Sequence, residues 1–280
     1  MLSIQTNVAV LDSLGHLKTT RTDLTKSVQS VSSGKRINQA SDDGAGLSVA
    51  TRLEADQTSL NQAARNANDA LGLMHTIEGT LDTLTNIAIR FRELSVQAIN
   101  ETYTSADREM MLTEMTALSR EWRRASNEAE YNGIGVTSSN DTLSFQVGKD
   151  GSTDDAITVN LTRVNISTIG SFITVGNTAV AGTAANSSTA TTNLRLLDRT
   201  INQLGEMRAR VGSMQNRLEN AIGQSTTEKN NLTVAQGRIL DVNYASETAN
   251  MTRLQMQRQV GIASLTQAKN IPMGLLSLID

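Results

Sequence analysis

The chain has 280 residues, a net charge of −3, no Cys, two His and one Pro. That inventory excludes a disulfide scaffold, a thiolate zinc site and cysteine catalysis, and it gives a His-based triad or metal centre little to draw on. One Trp, three Tyr and three Phe are too few for an aromatic-rich β-sandwich or a base-stacking surface, and the charge gives no overall drive toward nucleic acid or an anionic membrane.

The first segment carries apolar residues at Ile4, Val8, Leu11, Leu14, Leu17, Leu24, Val28 and Val31, a helical spacing. It opens without a basic stretch, and polar residues interrupt its apolar ones, which argues against a secretory leader. SSGKRINQASDDGAG (32–46) then reads as a polar, irregular connector, with Gly34 as the helix stop and Ser41 or Asp42 as the cap of the next helix. The dominant signal follows: Leu60, Ala64, Ala67, Leu71, Met74, Ile77, Leu81, Leu84, Ala88, Phe91 and Leu94 recur at gaps of three and four. This spacing predicts a narrow stripe of the coiled-coil kind on a helix from about 48 to about 99, about 75 Å long. A shorter helix is marked by Met111, Met115, Leu118, Trp122, Ala125 and Ala129, with Ser105 as cap and Asp107 in its first turn.

From 132 to 170 the pattern alternates. TLSFQVG (142–148) and AITVNLTRV (156–164) predict a β-hairpin turning near Lys149-Asp150-Gly151. AVAGTAANSSTATTN (179–193) reads as an exposed low-complexity loop. Helical spacing returns through Leu197, Ile201, Leu204, Val211, Met214, Leu218, Ile222, Leu232, Ala235, Ile239 and Val242. It continues loosely through Ala245, Ala249, Met256, Val260 and Ala263 to the apolar IPMGLLSLI (271–279). No run reaches about 18 apolar residues, so no membrane insertion is expected.

These elements predict a mainly α fold: a long antiparallel coiled-coil helical bundle of paired N- and C-terminal segments, with a small β-hairpin insert at the far tip. Residues 1–44 with 240–280 form one domain, and 45–239 a second that carries the hairpin and loop at about 137–193. Nothing points to an enzyme or a cofactor: there is no GxxxxGK[ST], HExxH or GxSxG motif. Asp42-Asp43 reads as capping and solvation, His75 with Glu78 and the lone His16 as exposed helix residues, and Arg123-Arg124 as too short for a nucleic-acid patch. The informative residues are apolar. Two terminal helices of about 30 residues would expose much apolar surface. Either copies of the same protein cover it, or both helices fold back on the bundle.

Several spaced segments resemble bacterial flagellins. They are VSSGKRINQASDDGAGLSVATR (31–52), NQAARNANDAL (61–71), TIEGTLDTLTNIAIRFRELSVQA (76–98), EWRRASNEAEYNGIGV (121–136) and the C-terminal stretch from AQGRILDVNYASETANM (235–251) through Pro272 to the Leu-rich tail. The resemblance implies a short flagellin without large variable outer domains, a structural subunit that polymerises helically with itself into the filament used for swimming. It further implies an extracellular location, reached through the flagellar secretion channel without a cleaved signal peptide. The partners implied are an export chaperone at the C-terminal helix, and hook-junction and filament cap proteins. The terminal pair would line the filament core and the hairpin would face outward. The polymer core contacts implied are Ile4, Val8, Leu11, Leu14, Leu254, Val260, Leu265, Leu275, Leu276 and Leu278. Arg90, Arg92, Glu93, Leu94 and Glu114 match the positions through which such proteins meet an innate immune receptor, Toll-like receptor 5, although Phe91 is larger than the residue expected there. A hook–filament junction protein shares the terminal architecture. A cytoplasmic helical-hairpin signalling protein explains the heptads but not the hairpin or the apolar ends.

Overall fold

The computed structural model describes residues 7–137, 142–161 and 187–276. Among them are five helices: α1 (Val8–Ser33), α2 (Gly44–Ile99), α3 (Ser105–Glu128), α4 (Ser187–Leu240) and α5 (Tyr244–Leu276). The chain divides into two compact units, Met1–Gln57 with Asn230–Asp280 and Thr58–Lys229.

In the first unit α1 and α5 pack along each other. They run antiparallel, as three pairings along the seam show. The Asn7 side-chain amide donates to the Ala268 carbonyl at 3.0 Å, Gly261 lies against Leu17, and Lys35 bridges Asp241. Asn7 also caps α1 by accepting from the Val10 N–H, and α1 stops at Gly34, whose φ of 72° is the left-handed conformation that glycine adopts without a Cβ penalty. A clasp follows. The Arg36 N–H donates to the Leu240 carbonyl at 2.6 Å, and the Val242 N–H donates to the Gly34 carbonyl at 3.0 Å. Ile37, Ala50 and Leu240 make a small core beneath it, flanked by Leu47 and Ile239.

The connector is as polar and irregular as its composition predicts, but its capping is shifted. Asp43, not Ser41 or Asp42, caps α2: its carboxylate accepts from the Gly46 N–H at 2.8 Å and its carbonyl from the Leu47 N–H. Asp42 instead turns back to accept from the N–H groups of Asn38 and Gln39. Likewise Thr104 rather than Ser105 caps α3, in a reciprocal box with Asp107. Two hydrogen bonds from Thr104 hold the Asp107 carboxyl below its usual pKa.

The second unit holds the main core. Its fully buried members include Trp122 of α3, Phe91, Leu73, Met74, Ile77, Leu81 and Leu84 of α2, Leu161, and Leu197 and Leu204 of α4. The stripe on α2 is wider than its 3-4 spacing suggests, because Ala63, Ala70, Leu73, Ile87 and Ala98 are buried beside it. A two-stranded coiled coil leaves such flanking positions at the rim. Here the core that α2 enters also takes Met115 and Trp122 from α3, Leu197 and Leu204 from α4, and Ile157 from a hairpin.

Two hairpins complete the unit. β1 (Glu130–Tyr131) and β2 (Ile134–Gly135) turn through Asn132 and Gly133, both at positive φ, the primed turn that Asn-Gly favours. This hairpin stands in addition to the one expected from the alternating pattern. β3 (Thr142–Gln146) pairs antiparallel with β4 (Ala156–Asn160), with Leu143 opposite Val159 and Phe145 opposite Ile157. That face enters the core: Ile157, Val159 and Leu161 are buried and Leu143, Phe145 and Val147 pack beside them. The hairpin therefore has an inner face, and only its polar face, with Thr142, Ser144, Thr158 and Asn160, is exposed. The expected loop over 179–193 is also corrected. Residues 187–193 already belong to α4, and 179–186 lie outside the described residues, as do 162–164 of the second predicted strand.

Candidate functional site

The terminal pair carries apolar residues on more faces than one seam can use. On α1 the buried or half-buried positions are Val10, Ser13, Leu17, Thr20, Leu24, Ser27, Ser30 and Val31. Four of the eight are hydroxyl residues, and the buried Ser27 Oγ has no hydrogen-bond partner among the described residues. Meanwhile Leu11 is 58% exposed, Leu14 45%, and Val8 and Val28 stand out with them. α5 repeats the arrangement: Leu254 is buried, whereas Met256, Val260 and Ile262 are exposed, Val260 by 64%. Gly261 lets the two helices close up, since a Cβ there would lie 3.3 Å from Leu17 Cδ1. A seam that spends polar residues inward while leucines face water is not the arrangement of a self-sufficient pair.

Of the residues expected at a polymer core, Val8, Leu11, Leu14 and Val260 are exposed and Leu265 is half-buried. Leu254 differs from these: at 6% exposure it is buried within the chain's own terminal unit. Leu275 and Leu276 fall in the last turn of α5, and Ile4 and Leu278 lie outside the described residues. Val234 and Tyr244, absent from the expected set, are also exposed.

The second expected cluster comes together on α2 and α3. Arg90 Nε donates to Glu114 at 2.8 Å and Arg90 Nη1 to Glu93 at 2.9 Å, and these two carboxylates, Glu114 first, raise the Arg90 pKa. Arg92 pairs with Asp198 of α4 at 2.7 Å. All five of these charged side chains are about half exposed. Leu94 does not stand with them: it is 2% exposed and belongs to the core, because it follows Phe91 on the buried face of α2.

The chemical candidates have structural uses. His75 lies 3.9 Å from Glu78, and Gln215 donates to Glu78 at 2.8 Å, all in a solvated setting. Arg124 is held by Glu121 and Glu128 on its own helix. Among the described residues, no group of three or more His, Cys, Asp or Glu could hold a metal, and no helix is long and apolar enough to cross a membrane.

Residues 4–142 match the family model for the bacterial flagellin N-terminal helical region, and residues 194–279 match that for the bacterial flagellin C-terminal helical region. The chain belongs to the bacterial flagellins. It is similar to the flagellin of Halalkalibacterium halodurans, 34% identical with 91% of each chain covered. It is also similar to that of Bacillus subtilis, 31% identical over 99% of this chain and 100% of that one. A solved structure of a putative flagellar hook-associated protein from Vibrio parahaemolyticus shares the fold, with a TM-score of 0.63 at 16% identity, covering 71% of this chain and all of that one. Flagellins are structural proteins, and this flagellin is a filament subunit that polymerises with copies of itself.

The connector motif that carries the flagellin resemblance has visible structural work. Arg36 reaches across to the Ile239 carbonyl at 2.8 Å, Ile37 fills the small core, and the Asn38 side chain ties back to the Lys35 carbonyl. These residues tie the connector after α1 to the junction between α4 and α5.

Proposed function

We propose that residues 1–44 with 240–280 form the inner core of the filament, and that 45–239 form the wall around it, with the polar face of the β3–β4 hairpin outward. The observation that carries this reading is the set of exposed apolar residues, Val8, Leu11 and Leu14 on α1 and Met256, Val260 and Ile262 on α5, beside a half-polar seam. In a helical, non-closing polymer the same surface of every subunit meets a different surface of the next, so an uncovered apolar face on each copy is what propagates the assembly. Ile4, Leu265, Leu275, Leu276 and Leu278 extend the same surface in this reading. Leu254 supports it from inside by holding α5 on α1.

The chain reaches the filament through the flagellar secretion channel without a cleaved signal peptide, with an export chaperone covering the C-terminal helix until then. Hook-junction and cap proteins meet the two ends of the polymer. Arg90, Arg92, Glu93 and Glu114 form the surface that Toll-like receptor 5 reads on the free monomer, with Leu94 acting only by setting α2 in its core. A reporter-cell assay tests this last part: Arg90→Ala should lower the signal, and an unchanged signal would remove the assignment.

The polymer reading is tested by deleting residues 1–40. The shortened chain should keep the helical circular dichroism and thermal unfolding of its second unit, lose helix signal from α5, which packs on α1, and fail to elongate filament seeds. Elongation at the full-length rate would overturn the core placement.

A further inference from the structure

The face of α1 that carries Leu11 and Leu14 does not end there. It continues, at the same three- and four-residue spacing, through Lys18, Arg21, Thr22 and Thr25. These side chains form one wall of a groove of about 560 Å³ whose other wall is the connector, with Arg36, Asn38 and Gln39. Lys18, Arg21, Lys26 and Arg36 line it, and Asp42 is its one carboxylate, 3.9 Å from Lys26. Arg36 is directed to the Ile239 carbonyl. Lys18 and Arg21 form no ion pair among the described residues. The groove therefore carries an excess of three positive charges inside a chain whose net charge is −3, so the rest of the molecule is more acidic than the total suggests.

We infer that this groove is an electrostatic socket that receives carboxylates of a second copy of this chain during polymerisation. The inference rests on the reading that Leu11 and Leu14 are covered in the filament. A copy lying on those leucines runs onto Lys18 and Arg21 one and two turns further along the same face. Covering unpaired cations with protein costs more than the adjoining leucines return, unless acceptors arrive with the covering surface. Hydroxyl and amide groups of Thr22, Thr25, Asn38 and Gln39 stand ready to complete the hydrogen bonding of an incoming carboxylate. The leucines thus supply adhesion, and the socket sets the axial register and favours the correctly placed copy.

The test is zero-length cross-linking of filaments grown from a mixture of isotopically light and heavy subunits. A carbodiimide activates a carboxylate, and a lysine amine in contact with it displaces the urea to form an amide. Light–heavy amides at Lys18 or Lys26 are expected in filaments and not in dilute monomer. A K18Q/R21Q chain, with the circular dichroism of the parent monomer, should elongate about tenfold more slowly at low salt and depend less on sodium chloride. Intact filaments without intermolecular amides at Lys18 or Lys26 overturn the socket while leaving the polymer reading in place. Inorganic polyphosphate that binds assembled filaments through Lys18 and Arg21 also overturns it, because the groove would then be open to solvent. Failure of the parent chain to form filaments would instead overturn the polymer reading itself.

Discussion

Replacing Leu11 and Leu14 by Ala separates the contribution of this face to the subunit from its contribution to the filament. Both side chains are about half exposed in the subunit. Fully burying a leucine is worth about 1.5–3 kcal/mol, so covering the half still in water is worth about 1 kcal/mol for each. The double substitution should therefore weaken docking by about 2 kcal/mol, which is about a 30-fold rise in critical concentration. The substitutions remove little from the subunit's own packing, so its stability should change by no more than about 1 kcal/mol. Seeded elongation followed by sedimentation gives the critical concentration, and chemical denaturation of the monomer gives the stability. Leu254→Ala is the contrasting case. It opens a cavity in the α1–α5 seam at a cost of about 2–5 kcal/mol, and hydrogen exchange of the terminal helices in the monomer should accelerate accordingly. The reasoning is refuted if Leu11→Ala/Leu14→Ala loosens the monomer as Leu254→Ala does and leaves the critical concentration where it was.

Other outcomes follow from the same geometry. Trp122→Ala empties the largest fully buried site and should cost about 3–5 kcal/mol in thermal or denaturant unfolding. Val159→Asp places a carboxylate on the inner face of the β3–β4 hairpin, so the second unit should unfold far below the parent temperature; a hairpin that were mere surface decoration would tolerate it. Gly34→Ala forces a Cβ onto a backbone at φ 72° and to within 3.0 Å of the Tyr244 hydroxyl, and should cost about 1–2 kcal/mol. Thr104→Ala removes the α3 cap and should lower the melting temperature at neutral pH. Because Thr104 depresses the Asp107 pKa, its help is complete above the unfolded carboxyl value of about 4 and fades as pH falls through the lower folded value, so parent and variant should converge in acid.

The helical elements and the larger hairpin are legible in the sequence because each repeats one period over many residues. What the sequence leaves open depends on neighbours that periodicity does not encode. The stripe on α2 names Leu81 and Leu84 correctly but misses Leu73 and Ile87, which are buried in a core that also draws residues from α3, α4 and the hairpin. The α1 pattern merges residues of two faces: Leu17 and Leu24 look inward, Leu11 and Leu14 outward, and only the position of α5 divides them. Caps slip by one residue at Asp43 and Thr104 because several oxygen-bearing side chains stand in a row and the backbone geometry selects among them. The Asn132–Gly133 turn was readable, since Asn-Gly between short apolar segments is a hairpin signal in its own right.

The clasp at the crossing has a mechanical side. Arg36 donates to Leu240 in one direction and Val242 to Gly34 in the other, so the two bonds flank a single bridge between Lys35 and Asp241. A pull that slides one strand along the other strains both bonds together, whereas a pull that peels the strands apart breaks them in turn. Tension drawn lengthwise along α1 thus meets a fastening stiffer than either bond alone. A sideways tug opens it one bond at a time.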